Sequence, residues 1–330
     1  MPALSILIPT YNRCEKLKRL LDLLGAEIES SGLKDKVTVF VSDNGSTDKT
    51  SEILSSFSNA SFTLKYFRQT SNIGFDRNVR FLYERFDADY GWFFSDDDIP
   101  LPGAINKVLA ATKGAGPDVL LFSFIQPPDS KVLTFNYQEH LRIIDEPTAI
   151  IELIPKYPKI SIYVMRKVVF SSMQWGDLDR FIGNGFYFLN LAYSVLGATA
   201  RPRVGIISEP LARCDEDYLD FNFIPKVIFE MYKVFTHPFV TRYIPDFAEK
   251  KQGQSYRSGI QFLFAMKIGT MTGGDMQLYD RTIRVMPICP KFLITNPKSL
   301  FQLLAMKLGI SEIYNLVKPA VSFARSKIYK

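Results

Sequence analysis

The sequence predicts an α/β fold, a mainly parallel sheet flanked by helices on both faces, with a helical C-terminal extension. Three observations carry this. Apolar strand-like runs alternate with helical stretches through the first 125 residues, the loops between them are short, and polar residues gather just past the strand ends. The chain has 330 residues, 47% hydrophobic and 22% charged, so it can bury a full core and is not a disordered polymer.

Leu4–Pro9 is a β-branched apolar run and reads as the first buried strand. Over Glu15–Glu29, Leu17, Leu20, Leu21, Leu24 and Ile28 recur three and four apart, which predicts a helix. Val37–Val41 is a second strand, and the Ser46-Thr47-Asp48 stretch after it can cap a helix beginning near Lys49. Phe62–Arg68 reads as a strand and Phe75–Phe86 as a helix. Tyr90–Phe94 is a strand that runs into Ser95-Asp96-Asp97-Asp98. Ala104–Thr112 is helical and Val119–Phe124 strand-like. Between 125 and 215 the pattern weakens to a helical Phe181–Leu196 and a strand-like Arg203–Ile207. After Asp220 the chain is helical and aromatic-rich as far as Thr272. Gly273-Gly274 breaks it, Pro287, Pro290 and Pro297 mark a linker, and two short amphipathic segments follow, Ser299–Leu308 and Ser311–Lys327. We expect one domain over 1–215 and a mainly helical region over 216–330.

Composition excludes several functions. Cys14, Cys214 and Cys289 are far apart with no CxxC pair, which disfavours a disulfide framework or a zinc site and fits a reducing cytoplasm. Two histidines, His140 and His237, leave little for a His-rich metal site or a His-based triad. No GxGxxG or GxxxxGK[ST] phosphate loop occurs, which disfavours a nicotinamide dehydrogenase or a P-loop NTPase. The net charge of +6 is uneven: residues 281–330 carry nine Lys/Arg and one Glu, leaving −2 for residues 1–280. A near-neutral body argues against nucleic acid as partner. The tail sets Leu300, Leu303, Leu304, Ile313 and Leu316 among Lys298, Lys307, Lys318, Arg325 and Lys327. That pattern suits docking on an anionic membrane surface, or else packing on the body or a second copy. No signal peptide is evident, and runs such as Phe186–Ala198 are too short or too polar to span a bilayer. The expected location is therefore cytoplasmic, peripheral on the inner face of the membrane.

Ligands of open parallel sheets bind outside the carboxyl ends of the strands. Here those ends carry Thr10-Tyr11-Asn12-Arg13, Asp43-Asn44 and Asp96-Asp97-Asp98. Adjacent carboxylates repel one another unless a cation neutralises them. A hard divalent ion does so, and needs only one or two protein carboxylates when phosphates also hold it. The same triplet would serve as a solvated acidic turn. Asp43 could accept hydrogen bonds from a nucleobase edge or cap the next helix. Asn72-Ile73-Gly74-Phe75-Asp76-Arg77-Asn78 opens a helix with a permissive glycine and polar side chains, suited to phosphate or ribose hydroxyls, or to capping alone.

Taken together, these motifs resemble family 2 glycosyltransferases of the GT-A type, whose sheet is nucleotide-binding and Rossmann-like. The matching residues are Ser5–Arg13, Val41–Asp48, Asn72-x-Gly74 with Arg77-Asn78, and Ser95–Asp98 with Pro102, four motifs in order over about a hundred residues. The pattern looks most like the branch acting in O-antigen or exopolysaccharide assembly, including abequosyltransferase-like members. The resemblance implies an inverting transfer from a nucleoside diphosphate sugar to a hydroxyl of a glycan or lipid-linked acceptor, with Mg2+ or Mn2+ as cofactor. It implies that Pro9, Thr10, Tyr11, Asn12, Arg13 and Asp43 hold the base, with Asn72, Gly74, Arg77 and Asn78 also on the nucleotide. Asp96 would lie near ribose and metal, and Asp97 would be the main metal ligand, with Asp98 the third carboxylate. The family's common Asp-x-Asp-Asp has Ser95 in place of its first Asp here. The nearest match to the catalytic base is the acidic pair Asp177 and Asp179. The alternatives are a sugar nucleotidyltransferase, disfavoured by the missing glycine-rich loop after the first strand, and a non-catalytic sugar-nucleotide-binding protein.

Overall fold

The computed structural model describes residues 2–57, 61–125, 135–214, 231–267 and 296–307. Strands β1 (Leu4–Thr10) and β2 (Val37–Asp43) are buried along their whole length, as runs of Leu, Ile, Val and Phe without polar alternation require. They pair in parallel from Leu4 opposite Val37 to Thr10 opposite Asp43, so the two strand ends lie side by side. β3 (Thr63–Arg68) adds to β2 and β4 (Tyr90–Phe93) to β1, both parallel. The helices between them follow the apolar spacing. α1 (Cys14–Ser30) buries Leu17, Leu20, Leu21, Leu24 and Ile28. α2 (Thr50–Ser56) follows β2, and α3 (Phe75–Arg85) buries Val79, Leu82 and Tyr83. Asn78 fastens α3 to β2: its Nδ2 donates to the Ser42 carbonyl at 3.0 Å, and Ser42 Oγ donates to Asn78 Oδ1 at 2.6 Å.

Beyond β4 the strands run both ways. β5 (Asp98–Pro100), α4 (Ala104–Ala111), β6 (Val119–Ile125), β7 (Leu141–Ile144), α5 (Pro147–Leu153) and β8 (Val164–Arg166) follow in sequence, then α6 (Ser172–Asp179), α7 (Tyr187–Gly197) and β9 (Val204–Cys214). Among the described residues the sheet order is β3-β2-β1-β4-β8-β6-β9-β5, with β7 paired to β9. β8 is antiparallel to both β4 and β6, β6 and β9 are parallel, and β5 is antiparallel to β9 with Asp98 opposite Cys214. Two expected elements change length. The helix expected from Phe181 starts at Tyr187, because Gly183 and Gly185 take φ of +100° and +78° and hold the chain in turns before it. The strand expected over Arg203–Ile207 runs on to Cys214 along β6.

The described residues fall into two units. The chain up to Cys214 forms the first together with helix Pro238–Tyr243, which abuts α7. Met231–Thr236, Phe247–Lys267 and Pro297–Lys307 belong to the second, in which Phe235 meets Phe247 edge-on at 4.8 Å and Arg257 donates to Asn296. The first expected amphipathic segment is the helix Pro297–Lys307, with Ser299, Leu303 and Met306 buried. The second, Ser311–Lys327, lies outside the described residues. Among the described residues no helix is long and apolar enough to cross a membrane.

Candidate functional site

The parallel pairing of β1, β2 and β4 sets the three polar loops next to one another. Asn44 N–H donates to the Thr10 carbonyl at 2.9 Å, and Phe94 N–H donates to the Leu7 carbonyl at 2.9 Å. The β1 loop is then fixed by the β2 loop. Asn12 takes φ +53°, a left-handed conformation that asparagine tolerates better than most residues. Its N–H donates to Ser46 Oγ at 2.8 Å, and its Oδ1 accepts from Thr47 N–H at 2.8 Å. Tyr11 is left exposed, and Arg13 turns toward the acidic triplet.

Arg13 Nη1 donates at once to Asp96 Oδ1 at 2.8 Å and to Asp97 Oδ2 at 2.7 Å. Asp96 is 4% exposed and Asp97 29%. Burial pushes the Asp96 carboxyl up to about 6, against the pull of the Arg13 charge and the Thr10 hydroxyl. For Asp97 burial acts the same way, but the Ser95 hydroxyl and the Arg13 and Lys16 charges outweigh it and hold the carboxyl below its ordinary value. Ser95 therefore has a defined task where the family pattern has an Asp. Its Oγ donates to Asp97 Oδ1 at 2.5 Å and fixes that carboxylate.

Asp98 is turned away from this pair. It is buried and accepts from the Ser161 hydroxyl, while Ser161 Oγ also accepts from Ser95 N–H at 2.9 Å. Burial pushes the Asp98 carboxyl up to about 7, against the Lys159 charge and the Ser161 hydroxyl. Among the described residues no three His, Cys, Asp or Glu side chains converge as a metal cage. Two do converge, however, and a guanidinium nitrogen stands between them as a stand-in cation. The pair Asp96 and Asp97 thus fits a divalent ion that phosphate oxygens would complete.

Asp43 is fully buried and its carboxylate is taken up within the chain. Oδ1 accepts from Ser46 N–H at 2.9 Å, Oδ2 accepts from Ser51 Oγ at 3.1 Å, and Arg68 Nε lies 3.7 Å from Oδ2. It shapes the 44–46 turn and anchors the start of α2. That turn presses against the next loop so closely that a Cβ on Gly45, at φ +75°, would meet the Ser71 carbonyl carbon at 2.6 Å. Asn44 then bonds across: Nδ2 donates to Asn72 Oδ1 at 3.0 Å, and Oδ1 accepts from Ile73 N–H at 2.9 Å. Gly74, at φ +87°, brings the chain into α3. Arg77 is exposed on the first turn of that helix, whereas Asn78 is buried in its link to β2.

The remaining pair sits elsewhere. Asp177 and Asp179 are exposed at the end of α6, and Asp179 accepts from Arg80 of α3. Arg80 lies over the Trp175 ring at 4.9 Å and also pairs with Glu84. Trp175 packs edge-on against Tyr83 and Phe170, which makes it part of this contact rather than a free ring. Asp76, at the start of α3, is buried and accepts from the N–H groups of Gly183 and Gly185 at 2.7 and 3.0 Å. The loop after α6 is thereby tied to the helix that follows the 72–74 loop. Arg68, Ser161 and Lys159 were missed as site neighbours. Arg68 ends β3 and is the residue the strand-end rule would find, whereas Lys159 and Ser161 lie in an irregular segment with no periodic signal.

The model of glycosyl transferase family 2 matches residues 5–172. Over 96 residues the chain is 38% identical to abequosyltransferase RfbV of Salmonella typhimurium, covering 29% of this chain and 28% of that protein. Over 110 residues it is 28% identical to the GalNAc(5)-diNAcBac-PP-undecaprenol beta-1,3-glucosyltransferase of Campylobacter jejuni, covering 33% and 34%. The matched stretch thus spans about a third of these curated relatives. Among solved structures, TarS of S. aureus superposes with a TM-score of 0.59 at 14% identity, over 95% of this chain and 55% of that one. The TarS 1–349 structure with UDP gives 0.57 at 14% identity, over 96% and 91%. These likenesses establish a shared fold.

Proposed function

Since the chain belongs to glycosyl transferase family 2, we propose that it is an inverting glycosyltransferase. It would move a sugar from a nucleoside diphosphate donor to a hydroxyl of a lipid-linked glycan in cell-surface polysaccharide or O-antigen assembly. One observation carries the reading. The loops after β1, β2 and β4 interlock at the carboxyl edge of the sheet and bring Asp96 and Asp97 to a single cationic nitrogen of the β1 loop, which also carries the exposed Tyr11. The UDP and UDP-GlcNAc complexes of TarS support the donor class, and the names of the two curated relatives support a glycan acceptor.

In this reading Asp96 and Asp97 would hold a Mg2+ or Mn2+, which when bound would supply positive charge against the leaving diphosphate. The chain's residues do the rest. Ser95 holds Asp97 in place, Tyr11 offers a ring face to the base, and Asp43 with Gly45 keeps the Asn44–Asn72 loops in register. A carboxylate must take the proton of the attacking hydroxyl. Asp177 and Asp179 are the candidates, and Asp179 must share its carboxylate with Arg80 to do so. The basic C-terminal segment docks the enzyme on the anionic inner face of the membrane.

The test is turnover of UDP-, GDP-, dTDP- and CDP-sugars with Mn2+. Turnover of one of them, absent in Asp97→Ala, supports the reading. Turnover of none, with lipid-linked glycan present, contradicts it.

A further inference from the structure

We propose that Arg13 is a resident counter-cation: it occupies the Asp96–Asp97 pair in the unliganded protein and is displaced when a divalent cation arrives with the donor diphosphate. This rests on the metal-dependent reading above and assigns Arg13 a positioning role within it. Four observations support the exchange. One nitrogen of Arg13 serves both carboxylates, at 2.8 and 2.7 Å, which is the place a shared cation would take. Asp96 is 4% exposed, so leaving the pair without any cation would cost heavily, and the site is therefore charged by Arg13 until something replaces it. The Arg13 side chain is 41% exposed and has an open route out.

The fourth observation is that the loop before Arg13 and the Asp97 and Asp98 carboxylates are tied down independently of the guanidinium. The backbone before Arg13 is fixed through Asn12 to Ser46 and Thr47. Asp97 is held by Ser95, and Asp98 is committed to Ser161. Departure of the guanidinium therefore leaves Asp97 in place, Asp96 passes from one cation to the other, and Asp98 stays with Ser161. A freed guanidinium has the planar donor fork that phosphate oxygens match. The exchange keeps both carboxylates neutralised and gives the incoming diphosphate a cation of its own. Metal without nucleotide must compete with Arg13, whereas metal with nucleotide offers Arg13 a new partner, so the two ligands favour each other.

The experiment measures Mn2+ binding to the full chain by electron paramagnetic resonance of free Mn2+, alone and with UDP, GDP, dTDP or CDP. Arg13→Gln should bind Mn2+ alone roughly three- to tenfold more tightly than wild type, the size expected when one partly buried ion-pair competitor is removed. Arg13→Lys, which keeps a competing charge, should stay near wild type. Equal or weaker Mn2+ binding by Arg13→Gln overturns the inference while leaving the enzyme reading intact. Absence of Mn2+ binding in all three proteins, with and without every nucleotide, overturns the metal-dependent reading itself. A second readout needs no folded Gln variant. The Arg13 guanidinium 15N signal of wild type, assigned through Arg13→Lys, should shift when Mg2+ and nucleotide are added together, and an unchanged signal in the bound complex overturns the displacement.

Discussion

Asp43 shows how one side chain can be read two ways from sequence and acquire a third role in the fold. A carboxylate at a strand end suggests either a nucleobase acceptor or a helix cap. In the structure it is fully buried and bonded to Ser46 N–H and the Ser51 hydroxyl, so its first effect is on the loop that Asn12 and Asn44 share. Removing it strands one buried donor, the Ser46 N–H, at a cost of about 1–3 kcal/mol, and takes the partner of the half-buried Ser51 hydroxyl. Asp43→Ala should therefore lower the urea midpoint as well as nucleotide affinity. Asp43→Asn, which can still accept from Ser46 N–H, should recover most of the stability. If Asp43→Ala unfolds like wild type while losing nucleotide affinity, the residue acts on the ligand directly and the loop account fails. Ser95 carries a similar lesson. It departs from the family pattern, yet its hydroxyl orients Asp97, a role that only the three-dimensional contact reveals.

At the scale of elements, legibility follows length and periodicity. The first 125 residues alternate strands of three to seven residues with helices, and all but one of these elements lie close to where the apolar spacing puts them. The exception is β5, and β7 and β8 are equally hidden. With three or four residues each they are too short to show a period, and their pairing with β9, β4 and β6 is decided by distant partners. The same applies to the site. The strand-end loops were legible because the carboxyl-edge rule singles them out. The partition of the acidic triplet was not, since the Ser161 that claims Asp98 comes 63 residues later. α6 is where this matters most, because Asp177 and Asp179 were legible only as an acidic pair. If α6 supplies the base, either Asp177→Asn or Asp179→Asn should lower transfer by roughly 10²–10⁴-fold. Donor titration should be unchanged in that variant. Wild-type transfer in both variants places the base elsewhere.

The whole molecule makes its own predictions. His237 is buried between α7 and the helix Pro238–Tyr243, stacked 5.6 Å from Phe181. Its Nδ1 accepts from Phe239 N–H, which leaves the proton on Nε2 to donate to Ser194 Oγ at 2.9 Å. Burial, helped by the Arg180 charge, lowers its pKa from 6.5 to about 3. The unfolded chain binds a proton there that the folded one refuses, so this contribution is whole above pH 6.5 and is lost as pH falls toward 3. The raised Asp96 and Asp98 carboxyls act the other way over the same window, each adding stability as pH falls through its folded value. In thermal melts from pH 7 to 4, His237→Gln should therefore gain stability relative to wild type as pH falls; an equal pH dependence in the two proteins would deny His237 this role. The tail acts at the same scale. Changing Lys298, Lys307, Lys318, Arg325 and Lys327 together to Gln should abolish co-sedimentation with phosphatidylglycerol vesicles at low salt, since each such charge contributes about 1 kcal/mol near an anionic surface. Retained, salt-independent binding would assign the contact to apolar surface instead. The central claim is that Asp96 and Asp97 form a metal-dependent nucleotide site, and calorimetric titration of UDP, GDP, dTDP and CDP tests it most directly. At least one should bind the wild-type chain only with Mn2+ present and fail to bind Asp97→Ala, whose circular dichroism stays that of wild type. Nucleotide binding by Asp97→Ala with full Mn2+ dependence would contradict the claim.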